Sequence, residues 1–231
     1  DVQAKRRWGR LSLHTKIVLL TTLALLAGGF LAILALEWSR TLRDLPPGGK
    51  LLAAYFQAVV PRTAGFNTLD IAGLRSATQF LMIMLMFIGA SPGSTGGGIK
   101  TTTFYLLVLV AWCRIRGRGG IEAFWRRIPQ DQADRALTVF LMGAGLVCGV
   151  TMLLLITEGA DFLRTLFEVT SAFGTVGLSM GLTTELSPWG RLLIIFTMYT
   201  GRLGPLTVAF ALAERRRKVY VRHPEEKLMI G

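Results

Sequence analysis

Gly89-Ala90-Ser91-Pro92-Gly93-Ser94-Thr95-Gly96-Gly97-Gly98-Ile99-Lys100 divides an apolar run that occupies residues 76–115. As one helix those 40 residues would be about 60 Å long, roughly twice the hydrocarbon thickness of a bilayer. Five glycines and a proline suit the middle of the run poorly to a helix, because glycine has most backbone freedom to lose and proline removes a donor. The run therefore predicts two half-helices, about residues 77–88 and 101–113, joined by a loop near the bilayer midplane. Irregular backbone at that depth is tolerated only where protein buries it or water reaches it, so the loop is expected to line a path through the membrane. Pro92, Gly93, Ser94, Thr95, Gly96, Gly97, Gly98 and Lys100 are the candidate gate of that path.

The rest of the chain supports a membrane setting. Of its 231 residues 52% are hydrophobic and 17% charged, against about 25% charged in soluble domains. Residues 11–36, 135–156 and 190–213 form three further apolar stretches, each at or beyond the ~20 residues that a spanning helix needs. The net charge of +12 is also what a nucleic-acid-binding chain shows, but its position argues otherwise. Seventeen of the 26 Lys and Arg residues lie around the start of the first stretch, between the second and third, or after the fourth. The positive-inside rule makes that side the cytoplasm. On the opposite side seven basic residues meet seven acids, and of the basic residues only Lys100 and Arg202 then remain, deep inside apolar segments. No nucleic-acid partner is expected. The first stretch is too long for a secretory signal peptide, and Cys113 with Cys148 is too sparse for a disulfide scaffold or metal cluster.

A duplication organises the chain. Gly65, in Thr63-Ala64-Gly65-Phe66, lies 112 residues before Gly177, in Thr175-Val176-Gly177-Leu178, and Gly89 lies 112 before Gly201. Two landmarks at one offset imply a repeated unit. Each unit reads as a spanning helix, a short apolar segment (residues 51–60 or 162–173), a Thr-x-Gly turn and a second spanning helix. The short segments cannot cross a bilayer and are read as re-entrant. The fold class is thus an all-α membrane protein of two membrane-pore-membrane repeats: a basic segment 1–10, a unit 11–116, a cytoplasmic connection 117–133, a unit 134–213 and a cytoplasmic tail 214–231. A lone Thr-x-Gly is an ordinary turn; two copies at matched positions point to chemistry. Backbone carbonyls can replace the hydration shell of a monovalent cation such as potassium, and glycine lets a carbonyl face an axis with φ values that other residues avoid. The preceding helix would aim its partly negative C-terminal end at the ion. Thr63, Ala64, Gly65, Phe66, Thr175, Val176, Gly177 and Leu178 are the filter candidates.

Rival chemistry fits less well. The glycine loop resembles a phosphate-binding loop, but Ile99 separates Gly98 from Lys100 and no strand precedes it. Gly143-Ala144-Gly145 with Gly149 misses the dinucleotide fingerprint; Gly145 and Gly149 are expected to allow close helix packing. His14 and His223 are isolated and no nucleophile, base and acid constellation appears, so the chain is read as no enzyme and without catalytic residues. A broken-helix secondary transporter of another small solute or cation is the alternative. Arg202, an intramembrane charge, is either a barrier to cations below the filter or a structural partner for Glu168 or for carbonyls freed near Gly204-Pro205. Lys100 either snorkels or ties the loop to a neighbouring subunit.

The segments at residues 61–68, 87–102 and 173–179 together resemble the Trk/Ktr/HKT superfamily of potassium transporters, nearest the bacterial Ktr-type membrane subunit. The resemblance covers essentially the whole chain, and its long glycine motif is specific. It implies four repeats around one pore with a filter glycine in each. Gly65 and Gly177 would then be the third and fourth, Pro92 to Lys100 the intramembrane gate, and Arg202 the charged residue of the last helix. It also implies potassium, with sodium dependence open, as the transported ion; no covalent cofactor; homodimers; and a cytosolic RCK-type regulatory ring that binds nucleotides. The basic cytoplasmic patches would face that ring or membrane lipids. Two repeats supply half a ring, and the chain begins at Asp1, so it is expected to be the C-terminal part of a longer protein.

Overall fold

The computed structural model describes residues 11–117 and 120–204; the basic segment 1–10 and the tail 214–231 lie outside them. Helix α1 (Leu13–Glu37) starts at Ser12, whose hydroxyl accepts the Thr15 N–H at 3.1 Å, a standard N-cap. Helix α2 (Pro47–Val59) opens on proline, which is tolerated there because a first-turn N–H has no helical partner. The long apolar run breaks where its glycines predict, into α3 (Ser76–Phe87) and α4 (Thr101–Ile115). Helix α5 (Gln130–Glu158) ends on Gly159 at φ +62. Asp161 caps α6 (Phe162–Gly174) by accepting the Leu163 and Arg164 N–H groups at 3.0 and 3.2 Å. After the single turn α7 (Leu182–Glu185), Ser187 caps α8 (Pro188–Leu203); the expected continuation to residue 213 lies outside the described residues. Only α1 and α5, among the described residues, are both long and apolar enough to cross a membrane as single helices.

One element departs from an all-helical reading. Within the 117–133 connection, β1 (Glu122–Ala123) pairs antiparallel with β2 (Arg126–Arg127), and the turn between them places Phe124 and Trp125 at φ +50 and +63. A two-residue turn of that kind normally carries Asn-Gly, so nothing in the residue types announces it.

Helix α6 is the hub. It packs against α3, α5 and α8, and its residues Phe167, Val169, Ala172 and Phe173 are almost wholly buried in two adjoining clusters. A third cluster, built on Ile33, Leu42, Ala54 and Ala58, joins α1 to α2. Each long helix also clasps a later one through a carboxylate. Glu37, fully buried, accepts from the Arg75 N–H at 2.9 Å, the Thr78 hydroxyl at 2.5 Å and the Thr41 hydroxyl at 2.7 Å. Glu158 accepts from the Ser187 N–H at 2.9 Å and its hydroxyl at 2.6 Å. Arg75 and Ser187, the N-cap residues of α3 and α8, are again 112 apart. Both carboxylates counted as surface charge in the sequence; the structure makes them helix anchors.

The glycines that permit close packing are not those expected. Among the described residues a Cβ on Gly145 or Gly149 would meet nothing within 4 Å, whereas one on Gly143 would stand 2.9 Å from the Phe173 ring. The sequence does not reveal which face of α5 turns inward. Gly201 is tighter still, because a Cβ there would collide with the Phe173 carbonyl oxygen, with its carbon only 2.7 Å away. Gly201→Ala is expected to lower stability by about 1–3 kcal/mol, since backbone cannot swing aside as a side chain can. Gly145→Ala should stay within about 1 kcal/mol of the parent, and thermal unfolding of the two purified variants in one detergent checks the contrast.

Candidate functional site

The C-terminal ends of α2 and α6 run into two turns with one backbone pattern. Thr63 and Thr175 take φ +73 and +51, and Gly65 and Gly177 take φ +75 and +92. A β-branched residue in the left-handed region is a genuine outlier, costing on the order of 1–3 kcal/mol; its recurrence in both units marks a shared requirement. At the end of α6 the Val176 N–H reaches the Ser171 carbonyl at 2.9 Å and the Thr175 N–H the Ala172 carbonyl at 3.0 Å. This is a Schellman pattern with threonine in the position that glycine usually takes. After α2, the Ala64 N–H bonds the Val60 carbonyl at 3.1 Å. The turns lie side by side: a Cβ on Gly65 would come within 2.5 Å of the Val176 oxygen and 3.6 Å of Gly177 Cα.

The 89–100 loop sits against both turns. The Gly97 N–H donates to the Thr175 hydroxyl at 2.9 Å and the Gly98 N–H to the Phe173 carbonyl at 3.1 Å. A Cβ on Gly96 would lie 3.0 Å from Thr63 Cγ2, and one on Gly97 2.8 Å from Thr175 Cγ2. The neck of the loop is closed where the Gly89 N–H meets the Ile99 carbonyl at 2.8 Å and the Ile99 N–H the Phe87 carbonyl at 3.1 Å. Gly96, Gly97 and Gly98 are buried, while Gly93, Ser94 and Thr95 form an exposed tip stitched by the Ser94 N–H and hydroxyl to the Ser91 carbonyl at 3.2 and 2.6 Å. Pro92 is half-buried at its base. Lys100 turns back on its own loop and donates from Nζ to the Gly96 carbonyl.

Six of the eight turn residues gather in this junction in the open or half-open state, whereas Val176 and Leu178 are buried. Those two pack with Val60, Ile71, Met82 and Met86 of the first unit. Arg202, in the last turn of α8, is exposed and shares a cavity of about 530 Å³ with Glu168, Thr175, Gly177, Ser179 and Thr183. Pairing with Glu168, one of the alternatives for Arg202, is not formed among the described residues. Glu168 accepts from the Ser179 hydroxyl at 2.7 Å and from the Thr183 hydroxyl, and the one ion pair among the described residues is Arg164 with Glu185 at 2.9 Å. The Glu168-Ser179-Thr183 group escapes sequence reasoning because it spans a helix, a turn and α7 without periodicity. Arg62, which reaches the Gly89 carbonyl at 3.5 Å, was marked only by its place beside Thr63. Backbone carbonyls and threonine hydroxyls are neutral oxygen donors, suited to a monovalent cation that exchanges its water shell and moves on.

Residues 2–218 match the sequence family described as "TrkH: Cation transport protein". The chain belongs to the TrkH cation transport family. Curated relatives of this TrkH-family chain include "Ktr system potassium uptake protein B" of Bacillus subtilis, 43% identical over 100% of this chain and 52% of the relative. "Potassium/sodium uptake protein NtpJ" of Enterococcus hirae is 39% identical over 100% of this chain and 53% of that protein. The chain spans about half the length of these relatives. The crystal structure of the potassium transporter TrkH from Vibrio parahaemolyticus superposes with a TM-score of 0.71 at 24% identity, covering 83% of this chain and 43% of that one; this likeness establishes the shared fold.

Thr175→Val removes the acceptor of the Gly97 N–H. Amide exchange in peptides covering residues 89–100 is expected to quicken by about tenfold or more, the equivalent of a buried donor losing its ~1–3 kcal/mol partner, while Thr175→Ser should keep the parent rate.

Proposed function

We propose that this chain forms two of four units around a potassium-uptake pore, with residues 63–66 and 175–178 as half of the selectivity filter. The observation that carries the reading is the twin Thr-x-Gly turn, strained in the same way 112 residues apart and laid side by side. Strain kept twice over in one arrangement is the signature of a functional constraint rather than of a connecting turn. In this reading α2 and α6 are re-entrant pore helices whose partly negative C-terminal ends favour a cation at the turns. The ion sheds water, is held by carbonyls of the Thr63 and Thr175 turns, and leaves toward the cytoplasm past the 89–100 loop.

That loop is the proposed intramembrane gate. Gly96, Gly97 and Gly98 seal it against the filter threonines, and the exposed tip from Pro92 to Thr95 is the part that swings. Lys100 holds the closed form by its bond to Gly96. Arg202 opens onto a cavity that Thr175 and Gly177 also line and acts in this reading as a positive barrier to cation flux. Exposure supports a ring completed by further units. Val176 and Leu178 are covered by the first unit, whereas Ala64 and Phe66 stand open for lack of an equivalent neighbour. Leu192, Ile195, Phe196 and Tyr199 leave α8 with an uncovered apolar face.

The charge segregation supports a multi-pass protein of the cell membrane with both ends of this segment cytoplasmic. A homodimer, a cytosolic nucleotide-binding ring meeting the basic patches, and sodium as a coupling ion extend the proposal by family resemblance and by the names of its relatives. Rubidium uptake into liposomes holding the full-length protein tests it. Gly65→Ser and Gly177→Ser should each reduce the preference for potassium over sodium by about tenfold or more, because a Cβ on Gly65 would collide with the Val176 carbonyl oxygen and a side chain at Gly177 would strain a backbone held at φ +92. Deleting residues 93–95 should raise flux. Unchanged selectivity in both serine variants would remove the filter assignment, and unchanged flux in the deletion would leave the loop a hinge.

A further inference from the structure

A second cavity lies away from the filter, at the end of the molecule where α1 begins, α4 begins and α5 begins. It has a volume of about 500 Å³ and is lined by His14, Ile17, Thr103, Leu106, Arg135 and Val139 among others. Its lining is divided in kind. His14 and Arg135 are exposed on its rim, Thr102, Thr103, Tyr105 and Gln132 add polar groups, and Leu13, Ile17, Leu106, Ala136 and Val139 supply aliphatic wall from all three helices. Lys16, two residues after His14, lies nearby on α1 with its Nζ 6.0 Å from the centroid of the Phe124 ring in the hairpin. Ile128, just beyond that hairpin, also lines the cavity.

We infer that this cavity holds one anionic phospholipid, its phosphate between His14 and Arg135 and an acyl chain against Ile17, Leu106 and Val139. Three arguments meet here. Helices α1 and α5 have bilayer length and apolarity, so a cleft within the first turns of both lies at the level where headgroups give way to acyl chains. An arginine guanidinium recognises phosphate with two parallel hydrogen bonds, and a free ion would satisfy that part but leave the aliphatic wall bare. Basic pockets between spanning helices are the form that anionic headgroup sites take. Asp131 and Asp134 stand on the same first turns of α5 but do not line the cavity.

The site has a mechanical consequence. Thr102, Thr103, Tyr105 and Leu106 belong to the first turns of α4, which follow directly on Lys100 and the closed neck of the 89–100 loop. A lipid wedged among them braces the base of that loop. The assignment of the lipid is independent of the filter reading; it takes from the topology only which leaflet supplies it.

The test uses the full-length protein, stripped in detergent and titrated with phosphatidylglycerol or phosphatidylcholine, with bound lipids counted by native mass spectrometry. One phosphatidylglycerol per chain should be retained at about tenfold lower concentration than phosphatidylcholine, as expected for two headgroup-facing basic side chains. His14→Gln with Arg135→Gln should abolish that preference. Leu106→Trp, which fills the acyl end and leaves the charges, should abolish retention, and Arg114→Gln, exposed outside the cavity, should change nothing. Equal retention of the two lipids, retention undiminished in Leu106→Trp, or displacement of the lipid by millimolar inorganic phosphate would overturn the inference, the last by making the site one for free phosphate. Detergent removes the leaflet, so a wrong topology cannot imitate any of these results.

Discussion

Everything in this molecule converges on one backbone contact, the packing of the last turn of α6 against glycines from two other elements. The Phe173 carbonyl accepts the Gly98 N–H at 3.1 Å, and no side chain fits between that carbonyl and Gly201. A Cβ on Gly174 would likewise lie 2.6 Å from the Met86 carbonyl at the end of α3. Contacts this close are available only to glycine, and they place main chain from α3, the 89–100 loop, α6 and α8 within touching distance beneath the turns. Phe173 itself stacks on Phe87 with ring centroids 5.5 Å apart, so the side-chain core and the backbone junction share one residue. Moving α6 by a fraction of an ångström would disturb both turns and the loop together, because a packed interior transmits displacement rather than absorbing it.

The parts of this arrangement that are legible in the sequence are those written in glycine, proline and length. The break in the run 76–115, the short helices before the two turns and the 112-residue offset all follow from residues whose effect is local. The half-helices end within about two residues of where composition places them. What stays hidden depends on partners distant in the chain. Glu37 reads as a surface acid until Thr78, 41 residues later, is seen to donate to it. Gly143 rather than Gly145 or Gly149 packs closely, because only the fold decides which stripe of α5 meets Phe173. Lys100 and Arg202 look equivalent as lone charges, yet one is tied to its own loop and the other opens onto a cavity. The hairpin at residues 122–127 carries aromatic residues where turn chemistry expects Asn-Gly.

The two units are alike where they meet and unlike where they do not. Each has a carboxylate at the end of its long helix that clasps the cap of the helix after the turn, and each has the left-handed threonine and glycine. Among the described residues they differ in that α3 stops at Phe87, ahead of the loop, whereas α8 continues through Gly201 to Leu203. One loop in the described pair thus faces two turns, and its packing against both Thr63 and Thr175 couples the proposed gate to both turns of the proposed filter.

The central claim is that cations occupy the space bounded by the two turns. Crystals of the full-length protein soaked in rubidium would show it by anomalous scattering. The account predicts peaks within coordination distance of carbonyl oxygens of residues 63–66 and 175–178, weakened in Gly177→Ser. Ordered rubidium found only elsewhere, with these carbonyls bare, would contradict it.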